Sequence, residues 1–510
     1  MNMLRLTTED INKYGDSSVF FVEYSLGYIR EIKEQFPQLA KAFCGCFDDS
    51  KRNQGVQRLV DREIYVYPLS EILKLPKNAV LVITSDYYEE AYERIIKYRN
   101  DLPIYFFPNS ETEMELAYRS KLEMRPLQDI IVFRSGPHPS AYVRGMDFSD
   151  NSRALFEYML QVGFNKKYKL VWQVKNPGEF SEKYKNVHNV EFQGFEWGMS
   201  KDVEQQKKYY ETLFLARFIF FTDAYGFARN CRKDQIRVQL WHGCGFKTRV
   251  NFVPCEHRYE YNIVISSLYQ KIHVDIYGLR NDQVLVTGYP KQDWLFHPIA
   301  KSTLCVLGIP ESGKYIFWLP TFRNAKDNLS NLDENSLVSE NGMPIISDAN
   351  KMRELNQVLI ENDVVLVIKL HPFQKRECVE ISMLSNIVLI DNEQLVGYDI
   401  QVNQLLGWAD ALISDYSSAA VDYLILDRPI AFTLDDVQEY ENSRGFVFDN
   451  IREWLPGKEI YTEQDFFAFV KDIGMEEDCS AAKRHNIRKL MHGFNDDKSS
   501  CRVLEALGIN

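Results

Sequence analysis

The sequence predicts an α/β protein whose sheets are mainly parallel. Three observations carry this. Short apolar runs rich in Val, Ile and Phe recur along the 510-residue chain. Longer helical patterns separate them, as strand–helix–strand crossovers require, because parallel neighbours cannot be joined by a tight hairpin. The composition, 45% apolar and 26% charged, is that of an ordinary globular chain with residues enough for several cores. At about 150 residues per domain, the length suits roughly three.

The elements follow in order. Residues 1–125 read as one small α/β unit. Ser18-Val-Phe-Phe-Val22 is a strand, and Gly27 with a helix over Tyr28 to Phe36 follows. Ala79-Val-Leu-Val-Ile-Thr84 and Pro103-Ile-Tyr-Phe-Phe107 are further strands, with a helix rich in Glu and Tyr between them. The first turn has Gly27 alone instead of G-x-G-x-x-G, so this unit is expected to be an accessory Rossmann-like domain without a dinucleotide.

A second unit, 126–299, opens with Ile130-Ile-Val-Phe133 and a helix over Ser152 to Val162. Its later strands are Leu170 to Val174, Phe218 to Phe221 and Arg237 to Leu240. A third unit, 300–510, has strands at Tyr315 to Leu319, Val364 to Lys369, Ile387 to Ile390, Ala411 to Ser414 and Pro429 to Phe432. Two such units in succession predict two facing Rossmann-like domains. Ligands in open α/β sheets bind beyond the carboxyl ends of strands. The residues just after each strand are therefore the candidates.

Four strand ends present useful chemistry. After Val238-Gln-Leu240 comes Trp241-His242-Gly243-Cys244-Gly245-Phe246-Lys247. Its glycines admit close backbone approach, and Lys247 adds a point charge for phosphate. After Leu319 come Pro320-Thr321-Phe322-Arg323, and Arg can hold a phosphate through two parallel hydrogen bonds. After Lys369 come Leu370-His371-Pro372. After Ile413 come Ser414-Asp415-Tyr416-Ser417-Ser418, with helical character from Ser417 to Leu426. A helix start there suits an anion, and equally suits simple capping by Asp415 or Ser417. Each residue alone is as consistent with a structural role. Their joint arrival at strand ends is the signal.

Other classes are disfavoured. A net charge of -12 gives no global basic field for nucleic acid. Nine scattered cysteines form no disulfide framework, and Cys44-Gly45-Cys46 lacks a second half for a zinc site. The N-terminus has no apolar core of a signal peptide, and no run of 18 apolar residues occurs. A cytoplasmic protein is expected, or one peripheral on the inner face of the cell membrane. Asn165 to Lys169 and Lys207 to Tyr210 are the basic-aromatic segments for such a contact, the alternative being a solvated helix face. No D-x-D motif stands at a strand end, so no tightly bound metal is expected, with Mg²⁺ entering only with a nucleotide.

These segments resemble the CDP-glycerol glycerophosphotransferase family, the transferases and polymerases of teichoic acids and related capsules. The matching segments are Gln239-Leu-Trp-His-Gly243, Thr287-Gly-Tyr-Pro290 with Asp293, Leu319-Pro-Thr-Phe-Arg323, Lys369-Leu-His-Pro372, and Asp415-Tyr-Ser-Ser418 with Asp422. Arg428-Pro429-Ile430, Tyr440 to Asp449, and Ser149 to Arg153 upstream extend the likeness over about 130–450. The resemblance implies a GT-B fold, with an acceptor-side domain and a C-terminal donor-binding domain. It implies a CDP-glycerol or CDP-ribitol donor, no tightly bound cofactor, and a lipid-linked or polymeric surface-glycan acceptor. His242 and His371 would be catalytic. Arg323, Ser417 and Ser418 would meet the diphosphate, with Asp415, Gly243, Lys247 and Asp422 around the donor. A GT-B glycosyltransferase using a nucleotide sugar is the alternative enzyme, and a non-catalytic scaffold the alternative class. Cys244-Gly245-Phe246 stands where the family commonly has Thr-Pro-Leu. The likeness does not bear on residues 1–125, on glycerol versus ribitol, on single addition versus polymerisation, or on oligomeric state.

Overall fold

Three sheets carry the strands of the computed structural model, which describes residues 4–7, 10, 18–49, 53–58, 63–85, 87–136, 143–223, 227–248, 258–320, 343–370, 384–443 and 445–509. The first sheet contains β1 (Leu4–Arg5), β2 (Val19–Val22), β3 (Phe43–Phe47), β4 (Gly55–Arg58), β5 (Glu63–Tyr67), β6 (Val80–Ile83) and β7 (Ile104–Phe106). Its order is β1-β7-β6-β2-β3-β5-β4, parallel except for the antiparallel β4–β5 pair.

The second sheet contains β8 (Gln128–Arg134), β9 (Lys169–Val174), β10 (Val190–Gly194), β11 (Ala216–Phe221), β12 (Ile236–Gln239), β13 (Tyr261–Val264) and β14 (Val284–Val286). The third contains β15 (Lys314–Trp318), β16 (Val364–Lys369), β17 (Ile387–Ile390), β18 (Ala411–Ser414), β19 (Ile430–Thr433) and β20 (Lys458–Ile460). Their orders are β10-β9-β8-β11-β12-β13-β14 and β17-β16-β15-β18-β19-β20, parallel throughout. Counted within each sheet, both begin 3-2-1-4-5-6, the doubly wound order that opens a crevice where the strand order reverses.

Burial explains why these runs are strands. Val364 to Ile368 are all buried, as in a parallel sheet covered by helices on both faces. In the second sheet, Phe133 stacks against Trp172 and Phe220 at 5.7 and 5.6 Å. Phe156, from the helix Asp150–Gln161, meets Phe133 edge-on at 5.6 Å and ties that helix to the sheet. In the third, Trp318 meets Phe466 of the helix Glu463–Gly474 at 5.0 Å.

By backbone proximity the chain divides into two compact units. One is Met1–Leu127 with Phe195–Leu215 and Ala228–Asp234; the other is Gln128–Gly194, Ala216–Phe227 and Gln235–Asn510. Within the first, the helix Val203–Leu215 packs on the helix Ser110–Leu122, Tyr210 stacking on Tyr118 at 4.6 Å. Arg232 donates to the carbonyls of Leu122 and Arg125 at 2.9 and 2.7 Å, closing the end of the latter helix.

Three expectations are sharpened. Cys44 and Cys46 lie on β3, the first exposed and the second buried, so only one of the two thiols is open to solvent. Tyr168, Tyr209 and Tyr210 of the two basic-aromatic segments are buried, so their rings belong to the core rather than to a membrane face. Among the described residues, no helix is long and apolar enough to cross a membrane.

Candidate active site

Phe221 of β11 is in register with Gln239 of β12, so the residues beyond each strand leave the sheet side by side. Asp223 follows β11 and His242 follows β12. His242 Nδ1 donates to Asp223 Oδ1 at 2.6 Å. Asp223 and Trp241 both take the left-handed conformation, with φ of 58° and 57°. For Trp that conformation is strained by about 1–3 kcal/mol and persists only where its surroundings over-determine it. Here they do. Asn151 Nδ2 donates to the carbonyls of Leu240 and Trp241, both at 3.0 Å. Gln239 accepts from Trp241 N at 3.0 Å and donates to Asp223 O at 2.9 Å, clamping both strand ends. The Trp241 ring lies against His242, His273 and Tyr277 at 5.1, 5.3 and 4.6 Å.

The electrostatics suit a base. Burial works against a charged His242, but the Asp223 carboxylate, through charge and hydrogen bond, outweighs it and holds the imidazole above its ordinary value. Burial likewise opposes Asp223 ionisation, and the His242 partner more than offsets it, keeping that carboxyl low. The His242 side chain is 44% exposed. With Nδ1 occupied as donor, Nε2 carries the lone pair. His273 is different in kind. It is buried, Nδ1 meets Asn262 Oδ1 at 2.7 Å, and burial with the nearby His242 pushes it down to about 3. It is a neutral packing residue.

Beneath the His242 turn lies a buried ionic cluster. Lys291 Nζ stands 3.2 Å from Asp422 Oδ2 and 3.4 Å from Asp150 Oδ2, and also donates to His242 O. Burial disfavours its charge, and the two carboxylates more than restore it, raising Lys291 above its ordinary value. Asp422 Oδ1 accepts from Gln292 Nε2 at 2.9 Å. Asn151 Oδ1 accepts from Lys291 N at 3.1 Å, linking the cluster to the clamp on Trp241.

The sequence-based candidates divide accordingly. Gly243 lies directly against the start of the helix Ser418–Leu424: a Cβ on it would stand 2.6 Å from Ser418 Cβ. Ser417 caps that helix, accepting from Ala419 N at 3.4 Å, and Asp415 accepts from Ser417 N at 3.0 Å. The capping reading is thus realised, with Ser418 brought to the His242–Gly243 turn. Asp422 is only 2% exposed and spends its oxygens on Lys291 and Gln292, behind the turn rather than on its open face. Lys247 pairs by backbone with Phe446 and places Nζ 5.4 Å from the Tyr440 ring centre. His371 and Arg323 lie outside the described residues. The Cys244-Gly245-Phe246 departure is internal. The Cys244 thiol meets Tyr289 OH at 3.0 Å and is pushed up to about 12 by burial, and Phe246 packs against Phe432 at 6.0 Å.

Asp223, Asp150, Asn151, Lys291 and Gln292 were not singled out from the sequence. Asp223 was findable by the same strand-end rule, two residues beyond a recognised strand. The others sit inside quoted segments, Ser149 to Arg153 and just after Thr287 to Pro290, whose roles only the fold reveals. Among the described residues, no group of three or more His, Cys, Asp or Glu side chains is arranged to hold a metal ion.

Comparison with known proteins gives the chain's relatives and its fold. A family model described as CDP-Glycerol:Poly(glycerophosphate) glycerophosphotransferase matches residues 117–508. The teichoic acid poly(ribitol-phosphate) polymerase of Bacillus spizizenii is 25% identical over 64% of this chain and 53% of its own length. The teichoic acid glycerol-phosphate transferase of Staphylococcus aureus is 22% identical over 76% of this chain and 94% of its own. The chain spans about half the length of the polymerases it matches. The solved structure of the wall teichoic acid polymerase TagF superposes with a TM-score of 0.58 at 19% identity, over 83% of this chain and 96% of that one. At that identity the likeness speaks for the fold, and the expected GT-B architecture is met.

Proposed function

The chain belongs to the CDP-glycerol:poly(glycerophosphate) glycerophosphotransferase family, and from that premise we propose that it transfers a polyol phosphate, glycerol phosphate first, from a CDP-polyol to a teichoic-acid-like acceptor, releasing CMP. The observation that carries this is the His242–Asp223 pair. It leaves an imidazole nitrogen, activated and half-exposed, at the carboxyl end of a doubly wound sheet, where such folds bind ligands.

In the reaction, an acceptor hydroxyl attacks the β-phosphorus bearing the polyol. His242 Nε2 takes the hydroxyl proton as the new O–P bond forms. The bond from that phosphorus to the bridging oxygen breaks, and its electron pair leaves on CMP. Phosphoryl transfer needs positioning and charge stabilisation more than covalent help. Asp223 fixes the tautomer and stabilises the imidazolium. Lys291, held by Asp150 and Asp422, fixes the His242 carbonyl and so the aim of the ring. Gly243 and Ser418 form the wall nearest the base.

His371 and Arg323 enter on the family likeness, as ligands of the donor diphosphate, with Ser417, Asp415 and Lys247 nearby. Residues 126–299 serve the acceptor and 300–510 the donor. The setting is the cytoplasmic side of the cell membrane, where a lipid-linked acceptor is presented.

The test is nucleotide release, CMP from CDP-glycerol, CDP-ribitol or a CMP-sugar and UDP from a UDP-sugar, with each donor supplied separately alongside a polyol-phosphate acceptor. CMP formed from a CDP-polyol and lost in His242→Ala supports the proposal. Turnover of a nucleotide sugar alone selects the glycosyltransferase reading instead.

A further inference from the structure

A cavity of about 210 Å³ opens beside the ionic cluster and shares Asp150 and Lys291 with it. Its lining also includes Lys369, Asn403, Trp294 and Val396. Two donors in this lining have no protein partner among the described residues, one partly buried and one fully. Lys369 is the last residue of β16, and among the described residues its Nζ makes no hydrogen bond or ion pair. Burial lowers it to about 8, with Asp391 alone opposing. Asn403 Nδ2 is buried without a hydrogen-bond partner among the described residues. A buried donor left unpaired costs roughly 1–3 kcal/mol, and native folds keep few without a reason.

The rest of the lining sets the ligand's shape. The Asp150 carboxylate, already held by Lys291, has acceptor capacity for hydroxyls. Trp294 and Val396 offer apolar surface to a short carbon chain. The volume lies below the ~300–1,000 Å³ usual for drug-sized ligands, so a nucleoside diphosphate does not fit whole.

We propose that this cavity binds a small polyol phosphate, its phosphate oxygens held by Lys369 and Asn403 and its hydroxyls by Asp150. The source of that group rests on the transfer reading above. It is either the terminal unit of the acceptor or the polyol phosphate of the donor, which share this chemistry.

The test uses the full chain and sn-glycerol 3-phosphate, followed by titration calorimetry. Saturable binding is expected, weakened about tenfold or more in Lys369→Met and several-fold in Asn403→Leu, with inorganic phosphate binding more weakly than the ester. Thermal unfolding checks each variant, and Lys369→Gln replaces Lys369→Met if the latter does not fold. Absence of binding, or equal binding by wild type and both variants, overturns the proposal. Turnover is a separate readout. Variant-sensitive binding without CMP release keeps the cavity and rejects the transfer reading; CMP release with variant-insensitive binding does the reverse. Where both hold, a raised KM for the acceptor assigns the acceptor end and a raised KM for the CDP-polyol assigns the donor. Neither KM moving overturns the assignment to this reaction.

Discussion

His242 Nδ1 and Asp223 Oδ1 stand 2.6 Å apart across the ends of two adjacent parallel strands. Neither residue reaches the other through its own strand. The contact exists because β11 and β12 end in register and each is followed by one left-handed residue that redirects the chain. The consequence is a fixed tautomer and a raised imidazole.

The pH dependence follows with a definite sign. The base form is neutral His242, and its folded-state value lies above the ordinary 6.5 because Asp223 outweighs burial. CMP release should therefore rise with pH through a midpoint above 6.5 and then level off. In Asp223→Asn the charge is gone, so the midpoint moves to lower pH, while the plateau falls because the tautomer is no longer enforced. His242→Ala should lower kcat by about 10²–10⁴-fold and abolish the rising limb. A pH–rate profile of the three proteins checks this. An unchanged midpoint in Asp223→Asn would remove the carboxylate from the mechanism.

Much of this arrangement is legible in the sequence, for a physical reason. Strands buried on both faces must be apolar and short, so Val364 to Lys369, Ile387 to Ile390 and Ala411 to Ser414 stand out with correct bounds. Short strands such as Gly55–Arg58 and Val284–Val286 were not recognised, since neither is a long apolar run. At the site, His242 is visible because glycines and a strand flank it. Lys291 is invisible, because a lysine two carboxylates bury looks in sequence like any surface lysine. The membership of Val203–Leu215 in the first unit is likewise tertiary, carried by Tyr210 on Tyr118.

Lys291 is the next prediction. Its removal leaves Asp422, 2% exposed, with Gln292 as its remaining partner and no cation. Breaking a buried pair by deleting one partner costs about 3–5 kcal/mol. Lys291→Met should lose that much in denaturant unfolding and also loosen the His242 turn. Lys291→Met with Asp422→Leu should recover part of the stability, since the uncompensated charge is then gone. A double variant no more stable than the single one would contradict this account.

Gly243 makes a steric prediction. Its φ of 156° and the closeness of Ser418 leave no room for a side chain. Gly243→Ala should destabilise by about 1–3 kcal/mol and abolish turnover, because overpacked sites shift backbone. Ser418→Gly removes the obstructing Cβ and Oγ. The double variant should therefore melt closer to wild type than Gly243→Ala alone, which thermal unfolding of the three variants would show.

Asp293 provides the last prediction, and it explains a segment whose role the sequence left blank. The residue stands on the helix Pro290–Phe296, three positions beyond Pro290, and its carboxylate is bound to the start of the last helix. Its Oδ1 accepts from Ser499 N at 2.9 Å; its Oδ2 accepts from Ser500 N at 2.9 Å and from Ser500 Oγ at 2.7 Å. These are the first residues of the helix Ser499–Ala506, whose leading N–H groups have no partner within the helix. A carboxylate there satisfies two of them and complements the positive end of the helix. Ser499 and Ser500 are buried, so water cannot replace it. Asp293→Ala should cost about 1–3 kcal/mol for the buried donors it strands, and Asp293→Asn less, since one acceptor oxygen remains. Hydrogen exchange should accelerate across 499–506 in Asp293→Ala. His242 should keep its pH midpoint, because Asp293 has no hydrogen bond to the His242–Asp223 pair. Unchanged exchange in 499–506 would show that the C-terminal helix is held by its apolar face, Val503 and Leu504, without need of the cap.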